Sequence, residues 1–121
     1  MAPKVLLVHP SPAESALDRR LQGEGYQVLR AENGLKLVSH LEVEQPDVII
    51  METRSAWSDS FQLCSALRHG RFARTPVFFL SSNPDEDECR HSYDCGCTQY
   101  FHMPRQMPAL IRRIRECAGA P

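Results

Sequence analysis

The chain has 121 residues and 13.7 kDa, the size of one domain with no room for a second. Hydrophobic residues at 42% and charged residues at 24% exclude a disordered or collagen-like chain. Fourteen Lys and Arg against fifteen Asp and Glu leave a net charge of -1, which argues against nucleic acid or an anionic membrane as the main partner. Short apolar runs then alternate with helical patterns along the whole sequence. A first strand is predicted over 4–8, an unbroken apolar run after Lys4. A helix over 12–23 carries Ala16, Leu17 and Leu21 on one side and stops at Gly23 and Gly25. A strand over 27–30 precedes a helix over 33–44, which carries Leu37, Val38 and Leu41 and is ended by Pro46. The run 47–51 reads as a third strand, and 58–70 as a helix carrying Phe61, Cys64 and Leu67. After a fourth strand over 77–81, Asn83 is the expected cap and Pro84 the first helical residue, followed by the acidic turn 85–88. A strand over 99–102 and a helix over 108–118 with Leu110, Ile111 and Ile114 complete the pattern.

Five strands alternating with five helices predict an α/β three-layer sandwich around a parallel sheet, because right-handed crossovers place helices on both faces. The domain is expected to occupy 1–117, with 118–121 a frayed tail or the start of a linker. The longest aliphatic or aromatic runs, 5–8 and 77–80, are four residues, too short to span a bilayer. With no export-signal core after Met1, a cytoplasmic location is expected. The odd count of five cysteines then reads as reduced thiols.

In a doubly wound sheet, ligands sit at the carboxyl ends of the strands. That points to His9 and Pro10 after strand 1, Glu52 after strand 3, Ser81 after strand 4, and Met103-Pro104 after strand 5. Here the sequence resembles the receiver domains of bacterial two-component response regulators. The resemblance rests on Lys4–Val8, on Gly25-Tyr-Gln-Val28 and on Ala31-Glu-Asn-Gly34. It continues through Pro46-Asp-Val-Ile-Ile50, the segment 59–64, Thr75-Pro-Val77, Gly96 and Tyr100. It implies a five-stranded parallel sheet in order 2-1-3-4-5 flanked by five helices.

The resemblance also implies a phosphorylation pocket, and the chain departs from it. Typical receivers place an acidic pair after strand 1, a phospho-accepting Asp after strand 3, a Ser or Thr after strand 4 and a Lys before a Pro after strand 5. Here those positions hold His9-Pro10, Glu52, Ser81 and Met103, with Pro104 behind. Magnesium takes hard oxygen ligands in near-octahedral geometry, which Pro10 cannot offer and His9 suits poorly. Phosphoryl transfer depends on positioning and on charge neutralisation, and one lost group costs about a hundred- to a thousandfold. The expectation is a degenerate receiver with no cofactor, no metal and no enzymatic activity.

Glu52 admits two readings: a partial phosphate mimic that keeps the domain in its active form, or a residue of an idle pocket that faces water or pairs with His9, a pair that would raise the His9 pKa. Loss of the ammonium at 103 favours the second. Cys89, His91, Cys95, Cys97 and His102 have the flavour of a metal site, but Cys-x-Cys is tighter than zinc spacing, and small buried hydrophobes explain them better. Ser81 with His9 or His102 lacks an evident oxyanion hole. Trp57, with Arg54 beside it, either caps the pocket or anchors a partner.

By resemblance, Tyr100 is an aromatic switch and Met103-Pro104 a cis step. Arg112 and Arg115 share a flank of the last helix, and Arg105 precedes it. With Tyr100 they would decorate the face of helix 4, strand 5 and helix 5, which receivers use to dock a protein partner or a second copy. The functional expectation is a phosphorylation-independent interaction module in bacterial signalling, polarity or motility control. Its rivals are a ligand or metal sensor in the vacated pocket and a receiver made constitutively active by Glu52.

Overall fold

A computed structural model of the chain describes residues 2–8, 15–53 and 59–120. The strands are β1 (Lys4–Val8), β2 (Gln27–Ala31), β3 (Val48–Glu52), β4 (Val77–Ser81) and β5 (Gln99–His102). Between and after them run α1 (Ser15–Gly23), α2 (Gly34–Val43), α3 (Ser60–Leu67), α4 (Glu86–Asp94) and α5 (Met107–Ala118). All strand pairs are parallel and the sheet order is β2-β1-β3-β4-β5, the expected topology.

The central strands are buried on both sides, which is why they read as unbroken apolar runs. Side-chain alternation divides each strand between two cores. Val5, Leu7, Val48, Ile50, Phe78 and Leu80 pack with Leu17, Leu21, Leu110 and Ile114 of α1 and α5. On the opposite face Leu6, Val8, Ile49, Met51, Val77 and Phe79 pack with Leu37 of α2 and Cys64 of α3. Burying a large aliphatic or aromatic side chain contributes about 1.5–3 kcal/mol, so these two layers dominate stability.

Several boundaries differ from the sequence reading for local reasons. Helix α4 starts later than expected, because Asp85 and not Asn83 is its cap: the Asp85 carboxylate accepts from the Glu88 amide at 2.8 Å. The backbone N–H of Asn83 donates to the Ser81 hydroxyl at 3.2 Å. Helix α3 ends at Leu67 and not at 70, since the Arg68 amide is shared between the Cys64 and Ser65 carbonyls and the chain continues in turns. Strands β2 and β3 each reach one residue farther, to Ala31 and Glu52, and β3 starts at Val48 because the Asp47 carboxylate accepts from the Lys4 amide at 2.8 Å. Helix α5 starts at Met107, with Pro108 in its first turn. Helix α5 ends at Ala118, and the following Gly119 carbonyl accepts from Tyr26 Oη at 3.1 Å.

One side chain ties together the end of the sheet remote from the strand carboxyl ends. The Arg68 guanidinium donates to the carbonyls of Gly96 at 2.7 Å, Thr75 at 2.6 Å and Phe72 at 3.1 Å. It thereby joins the α3–β4 turn to the α4–β5 turn. Gly96 has φ +98, and a Cβ there would stand 2.8 Å from Arg68 Cγ, so glycine is required both for the backbone and for the approach of the arginine.

Candidate functional site

The strand carboxyl ends form a small pocket of about 100 Å³ lined by Glu52, Thr53, Leu80, Ser81, Ser82, Asn83 and Met103. Parallel register produces this convergence: Glu52 lies opposite Leu80, and Ser81 opposite His102. The Thr53 amide donates to the Leu80 carbonyl at 3.0 Å, and the Met103 amide to the Ser81 carbonyl at 2.8 Å, extending both ladders to the pocket rim. Ser60 Oγ donates to the Glu52 carbonyl at 2.5 Å, fixing the start of α3 against the end of β3. Ser81 is buried and Met103 half-buried, the latter packed against the core beneath α5. The Met103-Pro104 peptide is cis.

Three of the expected pocket residues, Glu52, Ser81 and Met103, therefore come together. His9 and Pro10 lie outside the described residues, and with them the expected His9–Glu52 pair. Arg54 and Trp57 also lie outside them. Among the described lining residues the only ionisable group is Glu52, and none of them is a lysine or an arginine. Among the described residues no three His, Cys, Asp or Glu side chains assemble into a metal site. The Cys97 thiol is pushed up to about 12, first by burial and then by the nearby Cys64, which makes it a poor metal ligand or nucleophile.

Beside the pocket, Tyr100 on β5 is half-buried, and its hydroxyl donates to Glu88 Oε1 on α4 at 2.5 Å. Burial pushes the Tyr100 phenol up to about 12; the Glu88 carboxylate adds to the push, and a Ser81 hydrogen bond opposes it. The Tyr100 amide donates to Tyr93 Oη at 3.2 Å, so β5 and α4 are joined twice.

The arginines of α5 separate. Arg115 turns toward the α1–β2 turn, 3.4 Å from Glu24, and away from β5. Arg113, which the sequence reading passed over, reaches the sheet edge and donates to Gln99 Oε1 at 3.0 Å. Helical spacing leaves Arg112 exposed on the outer side between these two, and Arg105 is exposed in the turn before α5. Glu88 and Arg113 were missed because neither pairing is local in sequence. The one available signal was the spacing of Glu88 from Ser92, which places both on the inner face of α4.

A parallel five-stranded sheet in order 2-1-3-4-5, with helices on both faces and a pocket at the strand carboxyl ends, defines a doubly wound α/β domain of the flavodoxin-like type. The family model for the response regulator receiver domain matches residues 5–115, and the chain belongs to that family of two-component signalling modules. It is 29% identical over 115 residues to the DNA-binding dual master transcriptional regulator RpaA of Synechocystis, covering 93% of this chain and 48% of RpaA. It is 28% identical over 113 residues to protein PilH of Pseudomonas aeruginosa, covering 92% of this chain and 93% of PilH. The chain thus spans about half the length of RpaA and of other curated relatives, but nearly all of PilH. Among solved structures, a response regulator from Chloroflexus aurantiacus superimposes with a TM-score of 0.87 at 22% identity, covering 98% of each chain. The chemotaxis protein CheY4 of Vibrio cholerae superimposes with a TM-score of 0.84 at 22% identity, covering 97% of this chain and 99% of CheY4. Domains of this family are in general non-enzymatic modules that interact with protein partners such as kinases. No helix among the described residues is long and apolar enough to cross a membrane.

Proposed function

We propose that this chain is a receiver that has given up phosphoryl transfer and works as a protein-docking module through the face formed by α4, β5 and α5. One observation carries the reading: Met103 occupies the pocket wall where a receiver needs an ammonium group, and Glu52 is the pocket's only ionisable described residue. A thioether neutralises no charge on a phosphoryl oxygen. His9 and Pro10 in place of an acidic pair remove the oxygen ligands that magnesium would use. With Glu52 in place of an aspartate, the losses compound.

The docking face carries Tyr100, Arg113, Arg112 and Arg105, with the exposed Tyr93 beside them. Tyrosine and arginine are the side chains that most often anchor protein interfaces. Chemotaxis, the process named for CheY4, is the kind of bacterial behaviour such a module would serve, with a protein and not nucleic acid as the partner of this domain. The space that the described residues enclose, about 100 Å³, is smaller than an organic-ligand site, which disfavours a sensor reading.

Incubation with acetyl phosphate and magnesium, followed by intact-mass measurement, is expected to leave the mass unchanged. A species heavier by about 80 Da, the mass of one phosphoryl group, would overturn the proposal. The second reading, Glu52 as a permanent phosphate mimic, is favoured by the inward Tyr100 beside Ser81. It requires Glu52→Gln to move the Tyr100 ring resonances in an NMR spectrum, whereas the docking module proposed here leaves them in place.

A further inference from the structure

Helix α2 presents apolar side chains to water. Leu35 is 81% exposed, Val38 51% and Val43 73%, on a helix of ten residues. Leu35, Val38 and Glu42 follow one another at three- and four-residue steps and so form one outward ridge. Beside the ridge, between α2 and the end of α3, lies a groove of about 480 Å³. Val38 and Leu41 line it on the α2 side, Leu67 and Phe72 on the other. The rim carries both charges: Glu42 stands on α2, and Arg71, rooted on the turn after α3, reaches across to α2. Arg71 is held in place, its guanidinium donating to the Leu41 carbonyl at 3.1 Å and lying 5.1 Å from the centre of the Phe72 ring.

We propose that this groove docks a second copy of the same chain about a two-fold axis. A patch with an apolar ridge beside an apolar groove is its own complement, because the ridge of each copy can fill the groove of the other. The charges select the same occupant. A two-fold can set the Glu42 of each copy against the Arg71 of the other, closing the rim twice, whereas a partner of one sign would face a like charge at the rim. The net charge of -1 lets two copies approach with little repulsion. This surface lies on the α2–α3 side of the sheet and leaves the face of α4, β5 and α5 open, so the inference stands apart from the docking function proposed above.

Sedimentation velocity over a concentration series tests it. The wild-type chain is expected to show a monomer–dimer equilibrium. Val38→Asp and, independently, Leu35→Lys should each weaken it at least about tenfold, as expected for a residue central to an interface, with the monomer still folded, because Leu35 is 81% and Val38 51% exposed. Glu42→Arg and Arg71→Glu should each weaken the dimer, and the double variant carrying both should regain it. A wild-type chain that stays monomeric up to about 1 mM overturns the proposal, since affinity weaker than that has no standing as specific association. So does a dimer indifferent to Val38→Asp, or one broken by Tyr100→Ala, which would place self-association on the other face. A double charge reversal weaker than either single one also overturns it.

Discussion

Replacing Tyr100 with phenylalanine removes one oxygen and with it the 2.5 Å hydrogen bond to Glu88. A hydrogen bond to a charged group contributes about 1.5–3 kcal/mol net, and the half-buried Glu88 carboxylate can recover part of that by hydration. The expected loss at pH 7 is therefore about 1–2 kcal/mol, or roughly 3–10 °C in thermal midpoint for a domain of this size. The same bond gives the loss a distinctive pH dependence. Burial, followed by Glu88, raises the phenol from 10.0 to about 12, so between these values the folded state holds a proton that the unfolded chain has released. Stability from this group is thus fully present below pH 10 and falls as pH rises toward 12. At pH 11 the wild type should have lost on the order of 1 kcal/mol of it, while the phenylalanine variant loses none. Urea unfolding followed by far-ultraviolet circular dichroism at pH 7 and pH 11 measures both gaps, and the other titrating groups cancel in the difference between the chains. A variant as stable as wild type at pH 7, or a gap of equal size at both pH values, would refute the reasoning.

Arg68→Met keeps the apolar stem and removes the guanidinium from four carbonyls, so it should destabilise by about 2–4 kcal/mol in urea unfolding. Arg68→Lys should recover little of this, because an ammonium cannot reproduce the planar fork. Gly96→Ala should cost about 1–3 kcal/mol through the positive φ and the 2.8 Å approach to Arg68. Its combination with Arg68→Met should cost less than the sum of the two, as measured by a double-mutant cycle. With its thiol raised from 9.0 to about 12, Cys97 should react with iodoacetamide about a thousandfold more slowly at pH 8 than a thiol of ordinary pKa. Peptide mapping should therefore find label at the half-buried Cys89 and Cys117 first, and equal labelling of Cys97 would contradict its burial.

The fold was legible because its strongest signals are local. The buried runs 5–8, 48–51 and 77–80 cannot be exposed, and Gly25, Pro46 and Gly96 break the chain where turns must fall. Legibility failed where two residues competed for one role. Asn83 and Asp85 both suit a helix cap, and it is the Asp85 carboxylate that accepts from the Glu88 amide in the fold. The pocket positions followed from strand ends alone, which placed Glu52, Ser81 and Met103 together. What surrounds them did not follow. Helical spacing put Arg112 and Arg115 on one flank but could not say what that flank meets, and Glu24 lies 91 residues before Arg115. Glu88 belonged to an acidic run whose plain explanation, the helix dipole, accounts for Glu86 and Asp87 and hid the one acid that turns inward.

Helix α4 is fastened unequally at its two ends. Beyond its carboxyl end, Arg68 grips the Gly96 carbonyl and binds that turn to the α3–β4 turn. Near its start, the side-chain link to the sheet is the contact between Glu88 and Tyr100. The helix is mounted like a door, with its hinge at residues 95–96 and its latch at the phenol. Losing the latch would free the acidic first turn from β5 while Arg68 keeps the hinge seated, so the two ends of one short helix answer to different side chains.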